Sequence, residues 1–314
     1  VKDLPEKRLV VVRPHGFCSG VARAVQTAEA VLTRFRGETV YCLNEIVHNR
    51  QVVARLTSLG MVFVHAVDEV PAGALLLFSA HGVSPQVRGL AEARELRVID
   101  ATCPFVTKVH AEVRRFAARG ATVICIGHRT HEEVVGVAGE APERVRVVES
   151  AEEAERISVP PGDVAVVTQT TLGAAQVDAV MTELKRRFSG LQVPVSTDVC
   201  YATRNRQQAV CALAGRCGRV LVLGSENSSN SQRLAETARR AGAEAVLVSD
   251  LPRLEEIDWQ KFPAVGITSG ASTPESFLDD VIHVLRTRFA FPEPEWLTAV
   301  QEDSLVFSLP PLPA

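Results

Sequence analysis

The chain has 314 residues, 46% of them hydrophobic and 23% charged, with a formal net charge of −3. That length supports a large core in two or three compact units. The near-neutral balance, with only 5% aromatic residues, argues against nucleic acid or a membrane surface as the main partner. No apolar run approaches the roughly 20 residues that span a bilayer, and the polar start Val1-Lys-Asp-Leu-Pro-Glu-Lys-Arg8 does not read as a signal peptide. The expected localisation is cytoplasmic. Thiols stay reduced there, so an odd count of seven cysteines points to metal or catalysis before disulfides.

Short Val/Ile/Leu runs alternate with amphipathic stretches along the chain. Strands are predicted over Arg8–Val12, Ala74–Phe78, Thr122–Ile126, Asp163–Val167, Arg219–Leu223 and Ala264–Ile267. Helices are predicted over Val21–Phe35, Val106–Ala118, Ala174–Phe188, Arg204–Arg216, Gln232–Ala241 and Pro274–Arg288. Unbroken apolar strands separated by helices indicate an α/β fold with mainly parallel sheets covered on both faces. In such sheets, functional groups collect where strands end and helices begin.

An internal repeat adds detail. Cys18, Cys103 and Cys200 each follow a predicted strand and precede a helix, 85 and 97 residues apart. About 30 residues after each lies a polar loop: Asn44-Glu-Ile-Val-His48-Asn, Gly127-His-Arg-Thr-His131-Glu-Glu133, and Gly224-Ser-Glu-Asn-Ser228-Ser229-Asn230. A further polar loop follows beyond the next strand: Ser79-Ala-His81-Gly, Thr168-Gln-Thr170-Thr, and Thr268-Ser-Gly-Ala-Ser272. The expected organisation is three α/β units around a pseudo-threefold axis with their loops meeting at the centre. The first covers 8–101, joined by the C-terminal segment 290–314. The second covers 102–196 and the third 197–289. The plain alternative is that any strand-to-helix loop is polar.

Three cysteines from three units can ligate one metal centre. There is no C-x-x-C pair of the kind that marks structural zinc, and a dispersed, sulfur-only set suits a cubane cluster better. With four irons and three cysteines, one iron keeps an open position that acts as a Lewis acid. Cys42, Cys125, Cys211 and Cys217 read as structural. His48, His81, His131, Ser228, Ser229, Asn230 and Ser272 form a donor-rich, weakly charged set that suits a phosphate or diphosphate, although Ser228 reads equally as a helix cap. Glu133 is the candidate proton donor and Glu132 the candidate for a plain dipole-favoured position at a helix start.

Gly16-Phe-Cys-Ser-Gly-Val-Ala-Arg-Ala24, Glu45-Ile-Val-His-Asn49, Ser79-Ala-His-Gly-Val-Ser84 and Asp100-Ala-Thr-Cys-Pro-Phe-Val-Thr-Lys-Val-His110 resemble motifs of the 4-hydroxy-3-methylbut-2-enyl diphosphate reductase family. So do Gly127-His-Arg-Thr-His-Glu-Glu133, Thr168-Gln-Thr-Thr-Leu172, Cys200-Tyr-Ala-Thr-Arg-Asn-Arg-Gln207, Gly224-Ser-Glu-Asn-Ser-Ser-Asn-Ser231 and Thr268-Ser-Gly-Ala-Ser272. The likeness runs from about residue 9 to 309. It implies a trefoil of three α/β units around a central 4Fe–4S cluster. It also implies the last step of the methylerythritol phosphate route to isoprenoids: removal of the substrate hydroxyl as water with two electrons and two protons, giving isopentenyl and dimethylallyl diphosphate. By motif, the resemblance implies Cys18, Cys103 and Cys200 as cluster ligands. It implies His48, His81, His131, Ser228, Ser229, Asn230 and Ser272 as diphosphate contacts. Glu133 becomes the proton source, His131 its positioning partner, and Thr170 the contact to the substrate hydroxyl. The implied electron donor is a ferredoxin, or a flavodoxin with its NADPH-dependent reductase. His15, Ser19 and Val135 stand where relatives commonly carry Arg, Ala and Glu. An iron–sulfur sensor or electron carrier, a zinc-binding protein, and a paralogue reducing another allylic diphosphate are the competing readings.

Overall fold

The computed structural model describes residues 6–302 and 305–313. The first five residues of the polar start, and Asp303, Ser304 and Ala314 of the expected C-terminal segment, lie outside the described residues. In chain order the elements begin with β1 (Arg8–Arg13), α1 (Ser19–Arg34), β2 (Val40–Leu43), α2 (Arg50–Ser58), β3 (Met61–Val64), β4 (Leu75–Phe78), α3 (Pro85–Ala93) and β5 (Arg97–Asp100). There follow α4 (Pro104–Ala118), β6 (Thr122–Ile126), α5 (Glu132–Ala138), β7 (Val145–Val148), α6 (Ala151–Arg156), β8 (Val164–Thr168) and α7 (Ala174–Arg187). The last group is α8 (Tyr201–Ala214), β9 (Arg219–Leu223), α9 (Ser229–Arg240), β10 (Glu244–Val248), β11 (Ala264–Ser269), α10 (Glu275–Phe289) and β12 (Glu295–Thr298).

Every strand and helix given above by its range is present, whereas the strand expected directly before Cys200 is not found among the described residues. Four helices start earlier than their apolar periodicity indicates. α1, α4 and α8 each begin at the residue directly after a cysteine, and α9 begins directly after Ser228. The opening turn of a helix contains polar residues that cap or precede the buried stripe, so periodicity alone places the start too late.

Three fully parallel sheets result, with strand orders β3-β2-β4-β5, β7-β6-β8 and β10-β9-β11-β1-β12. Their faces alternate as unbroken apolar strands require. In the third sheet Leu9, Val11, Leu221, Val265 and Ile267 enter one buried cluster, while Val10, Val12, Val220 and Val222 enter the cluster on the other face. In the second, Val123 and Cys125 face α4 and α5 residues, while Ile124 and Ile126 face α7 residues. Gly266 in β11 shows how tightly α8 sits on its sheet: a Cβ there would lie 2.6 Å from Leu213 Cγ. Gly266→Ala is expected to cost about 1–3 kcal/mol through overpacking, measured as a lower denaturant midpoint.

The three sheets share one order, and it corrects the phase of the repeat. In each, the strand that leads into the first polar loop after the cysteine (β2, β6 or β9) lies between the next strand in sequence (β3, β7 or β10) and the strand that leads into the further polar loop (β4, β8 or β11). The segment leading to each cysteine then closes the preceding sheet. β5, before Cys103, pairs with β4. Gln192, ahead of Cys200, bridges Ala165 of β8. β1, before Cys18, pairs with β11. Strand β1, expected with segment 8–101, is therefore a member of the sheet formed by residues 219–269 and is flanked by β12. No strand forms over 193–199 among the described residues, because Pro194 lacks a ladder donor and Val195 is 95% exposed.

The described residues cluster into two compact units. One lies within Val1–Ser19, His48–Val52 and Tyr201–Leu305, the other within Gly20–Val47, Val53–Cys200 and Val306–Ala314. In the second unit the tail has no regular structure and is held where Arg23 Nε donates to the Ser308 carbonyl at 2.8 Å and Phe307 meets Phe105 edge-on.

Candidate active site

The candidate catalytic and binding residues lie beyond the C-terminal ends of parallel strands, in the loops there or in the first turns of the helices that follow. In the second unit, α5 opens with His131 as its N-cap, and His131 Nδ1 accepts from the Glu133 backbone N–H at 3.2 Å. That turns the Glu133 side chain inward, where it is 2% exposed. Two residues beyond β8, the Thr170 backbone N–H donates to Glu133 Oε1 at 2.6 Å and the Thr170 hydroxyl donates to Oε2 at 3.0 Å. Burial pushes the Glu133 pKa up to about 7; the two Thr170 hydrogen bonds pull it down, and the Asp198 charge pushes it up again. A carboxyl group with that value holds a proton near neutrality and has a hydroxyl beside it to pass one on.

His81 joins this cluster. Its ring meets that of His131 edge-on at 5.7 Å, and its Nδ1 lies 2.9 Å from a Glu132 carboxylate oxygen. Glu132 is therefore more than a solvated residue at a helix start. Its side chain is 28% exposed and sits against His81. Nothing local in the sequence links the two, which come from different strand ends.

In the first unit, the Ser272 hydroxyl donates to the His48 carbonyl at 2.9 Å, which fixes the loop that carries His48. Asn230 is 5% exposed; its Oδ1 accepts from the Ala271 N–H at 2.9 Å, while its Nδ2 is buried without a protein acceptor. Ser228 caps α9, as the plainer reading expected: its Oγ accepts from the Ser231 N–H and from the Ser231 hydroxyl. Both bonds use Ser228 as acceptor and leave its own proton to donate. Ser229 is the first residue of α9, where backbone N–H groups and the helix dipole favour an anion.

All seven cysteines are described and none is in a disulfide. They separate into two groups. Cys42, Cys125 and Cys217 are buried, and burial pushes their thiols up, Cys217 to about 11 and the other two well beyond the usual range. Cys18, Cys103 and Cys200 are half-buried and stand directly before α1, α4 and α8. Cys211 is exposed on α8. The three helix-start cysteines share one backbone device. The Cys103 N–H donates to the Ala80 carbonyl at 3.0 Å, the Cys200 N–H to Thr170 at 3.1 Å, and the Cys18 N–H to Ala271 at 3.2 Å. Each acceptor belongs to one of the further polar loops, 79–82, 168–171 or 268–272. The partial positive charge at a helix start favours a sulfur that carries negative charge, so the donor set fits an anionic, thiolate-ligated group.

Several supporting residues escaped the sequence reading. Arg206, 1% exposed, donates to the Gly16 carbonyl at 2.8 Å from α8, while the Gly16 N–H donates to Ser269 Oγ at 2.8 Å. Gly16 has φ +68°, a conformation that a side chain would strain, and the loop before Cys18 is gripped from both sides. His15, in the same loop, is neutral near pH 7: burial, with Arg206 and Arg13 nearby, lowers its pKa to about 4. Lys108 on α4 donates to the Ser196 carbonyl at 2.9 Å and to Asp198 Oδ1 at 2.8 Å, and Asp198 Oδ2 accepts from the Thr168 N–H at 3.0 Å. A buried Arg or paired Asp leaves no periodic signal in a sequence, because its partners lie in other elements.

The sequence profile of the family described as LytB protein matches residues 9–286. The chain belongs to this family. It is 48% identical over 307 residues to a 4-hydroxy-3-methylbut-2-enyl diphosphate reductase of Rhodococcus jostii, covering 97% of this chain and 90% of the relative. It is 47% identical over 310 residues to the protein of the same name from Acidothermus cellulolyticus, covering 98% and 90%. Among solved structures, the E-1-hydroxy-2-methyl-but-2-enyl-4-diphosphate reductase of Plasmodium falciparum superposes with a TM-score of 0.92 at 34% identity, over 98% of this chain and 96% of that one. The LytB family uses an iron–sulfur cluster. The α/β fold with three parallel sheets expected from sequence agrees with that structural neighbour. No helix among the described residues is long and apolar enough to cross a membrane.

Proposed function

We propose that the chain reduces (E)-4-hydroxy-3-methylbut-2-enyl diphosphate, with two electrons and two protons, to water and isopentenyl or dimethylallyl diphosphate. Cys18, Cys103 and Cys200 ligate a 4Fe–4S cluster. When bound, that cluster supplies electrons singly and offers a Lewis-acidic iron to the substrate hydroxyl. The chain's own residues do the rest. Asn230 Nδ2, the Ser228 proton, Ser229, Ser272, His48, His81 and His131 receive the diphosphate with donors and little fixed charge. Glu133 holds a proton and Thr170 carries it to the departing hydroxyl. A ferredoxin, or a flavodoxin with its reductase, supplies the electrons in the cytoplasm. The chain reads as three repeats of one unit, with boundaries near 101 and 196, a reading that the shared strand order of the three sheets supports.

The Glu133–Thr170 pair carries this reading. A carboxyl group 2% exposed, bonded through both oxygens to one threonine and titrating near neutrality, has no structural use that a neutral isostere would not serve. The reading is tested anaerobically by measuring iron and sulfide and assaying turnover with reduced methyl viologen. About four irons per chain with both five-carbon diphosphates formed is the expected result. Zinc without labile sulfide overturns the cofactor, and a loaded cluster without turnover points to a sensor or a changed substrate.

Thr170→Val provides a sharper check. It removes a hydrogen bond that favours the ionised carboxylate, so the Glu133 pKa rises. The alkaline limb of the pH–rate profile is expected to move to higher pH, with a lower kcat from the lost relay.

A further inference from the structure

The residues that directly follow Cys18 and Cys200 touch each other. The Tyr201 phenol lies 2.8 Å from the Ser19 hydroxyl, and the Ser19 backbone N–H donates to the same phenol at 3.4 Å. Ser19 is the first residue of α1 and Tyr201 the first of α8. This contact answers a local problem. The opening N–H groups of a helix need acceptors, and an Asp, Asn, Ser or Thr at the N-cap normally supplies one. Cys18 occupies that position before α1 and brings sulfur in place of oxygen. The Tyr201 oxygen, 182 residues away in sequence, acts as the acceptor instead. The serine hydroxyl completes a second bond to the same atom, so one phenol ties two helix starts together.

We propose that the Ser19–Tyr201 pair is a positioning clasp that sets Cys18 and Cys200 in ligating register before and after the cluster is built. The proposal rests on these cysteines being ligands. Neither Ser19 nor Tyr201 touches substrate; both act through the cysteine next to each in the chain. The side chain at position 19 therefore matters here beyond helix propensity, since alanine there keeps the N–H bond and loses the stronger hydroxyl bond.

The test uses the full-length holoprotein and the variants Ser19→Ala, Tyr201→Phe, their combination, and Ser19→Thr. Anaerobic iron loss to a chelator is expected to speed up roughly fivefold in each of Ser19→Ala and Tyr201→Phe, the factor that one net hydrogen bond supplies. The double variant should be no faster than Tyr201→Phe, because both changes remove the same contact, and Ser19→Thr should restore the wild-type rate. In cluster-free protein, amide exchange should rise in the first turns of α1 and α8 and stay unchanged in α4. Wild-type iron loss in both single variants, multiplying effects in the double variant, or exchange raised throughout the chain would overturn the clasp. Cys18→Ser separates this from the ligand assignment. If it loads iron normally, the assignment fails; if it loses the cluster while Tyr201→Phe behaves as wild type, only the clasp fails.

Discussion

Glu133→Gln is expected to lower kcat by about 10²–10⁴-fold, the usual worth of a positioned general acid, while iron content and substrate affinity stay near wild type. Glutamine keeps the shape: its carbonyl oxygen can accept from the Thr170 N–H while its NH2 donates to the Thr170 hydroxyl, but it has no acidic proton. The pH profile gives the decisive signature. The wild-type rate should fall with the protonated fraction of Glu133 as pH rises through about 7, and that limb should vanish in the variant. Stability follows with a definite sign. The pKa is raised from 4.5 to about 7 on folding, so below about 4.5 burial of this group costs nothing in ionisation. Between about pH 4.5 and about pH 7 the folded state progressively loses roughly 3 kcal/mol relative to the unfolded chain, and the loss is complete above about 7. Denaturant midpoints of wild type and Glu133→Gln should therefore diverge between about pH 4.5 and about pH 7 and stay apart above that, with the variant gaining on the wild type. Near-normal turnover in Glu133→Gln would remove Glu133 from the proton path.

Cys103→Ser is expected to abolish cluster loading and turnover, whereas Cys125→Ser retains both. The two sites differ in kind. Cys103 is half-buried at the start of α4 with its amide fixed to Ala80. Cys125 is 1% exposed in β6, packed among Val109, Val113, Val134 and Val137, with its thiol raised by burial. Serine at 125 buries a hydroxyl among apolar neighbours and costs about 1–3 kcal/mol of stability, seen as a lower unfolding midpoint at unchanged iron content. Equal iron in both variants rejects Cys103 as a ligand.

Six strands were legible because burial on both faces writes an unbroken apolar run. β1, β4, β6, β8, β9 and β11 all have this character. Flanking strands were harder to read. β3 exposes Val62, and β10 is only partly buried, so neither carries a strong pattern. The opposite fates of Glu132 and Glu133 lay beyond the sequence for a different reason. Adjacent helix residues point about 100° apart, and which one faces the interior depends on what packs against the helix. Here Thr170 receives one and His81 the other.

By itself the sequence determined that three cysteines stand at helix starts in parallel α/β units, that polar loops recur in fixed order after them, and which residue types gather there. Those features are local: hydrophobic period, strand length and turn chemistry are properties of neighbours along the chain. Only the tertiary structure decided that each cysteine's segment closes the preceding sheet, that β1 pairs with β11, and that Tyr201 reaches Ser19. Parallel pairing joins strands distant in sequence through backbone groups that every residue carries, so no side-chain pattern records which strand is the partner.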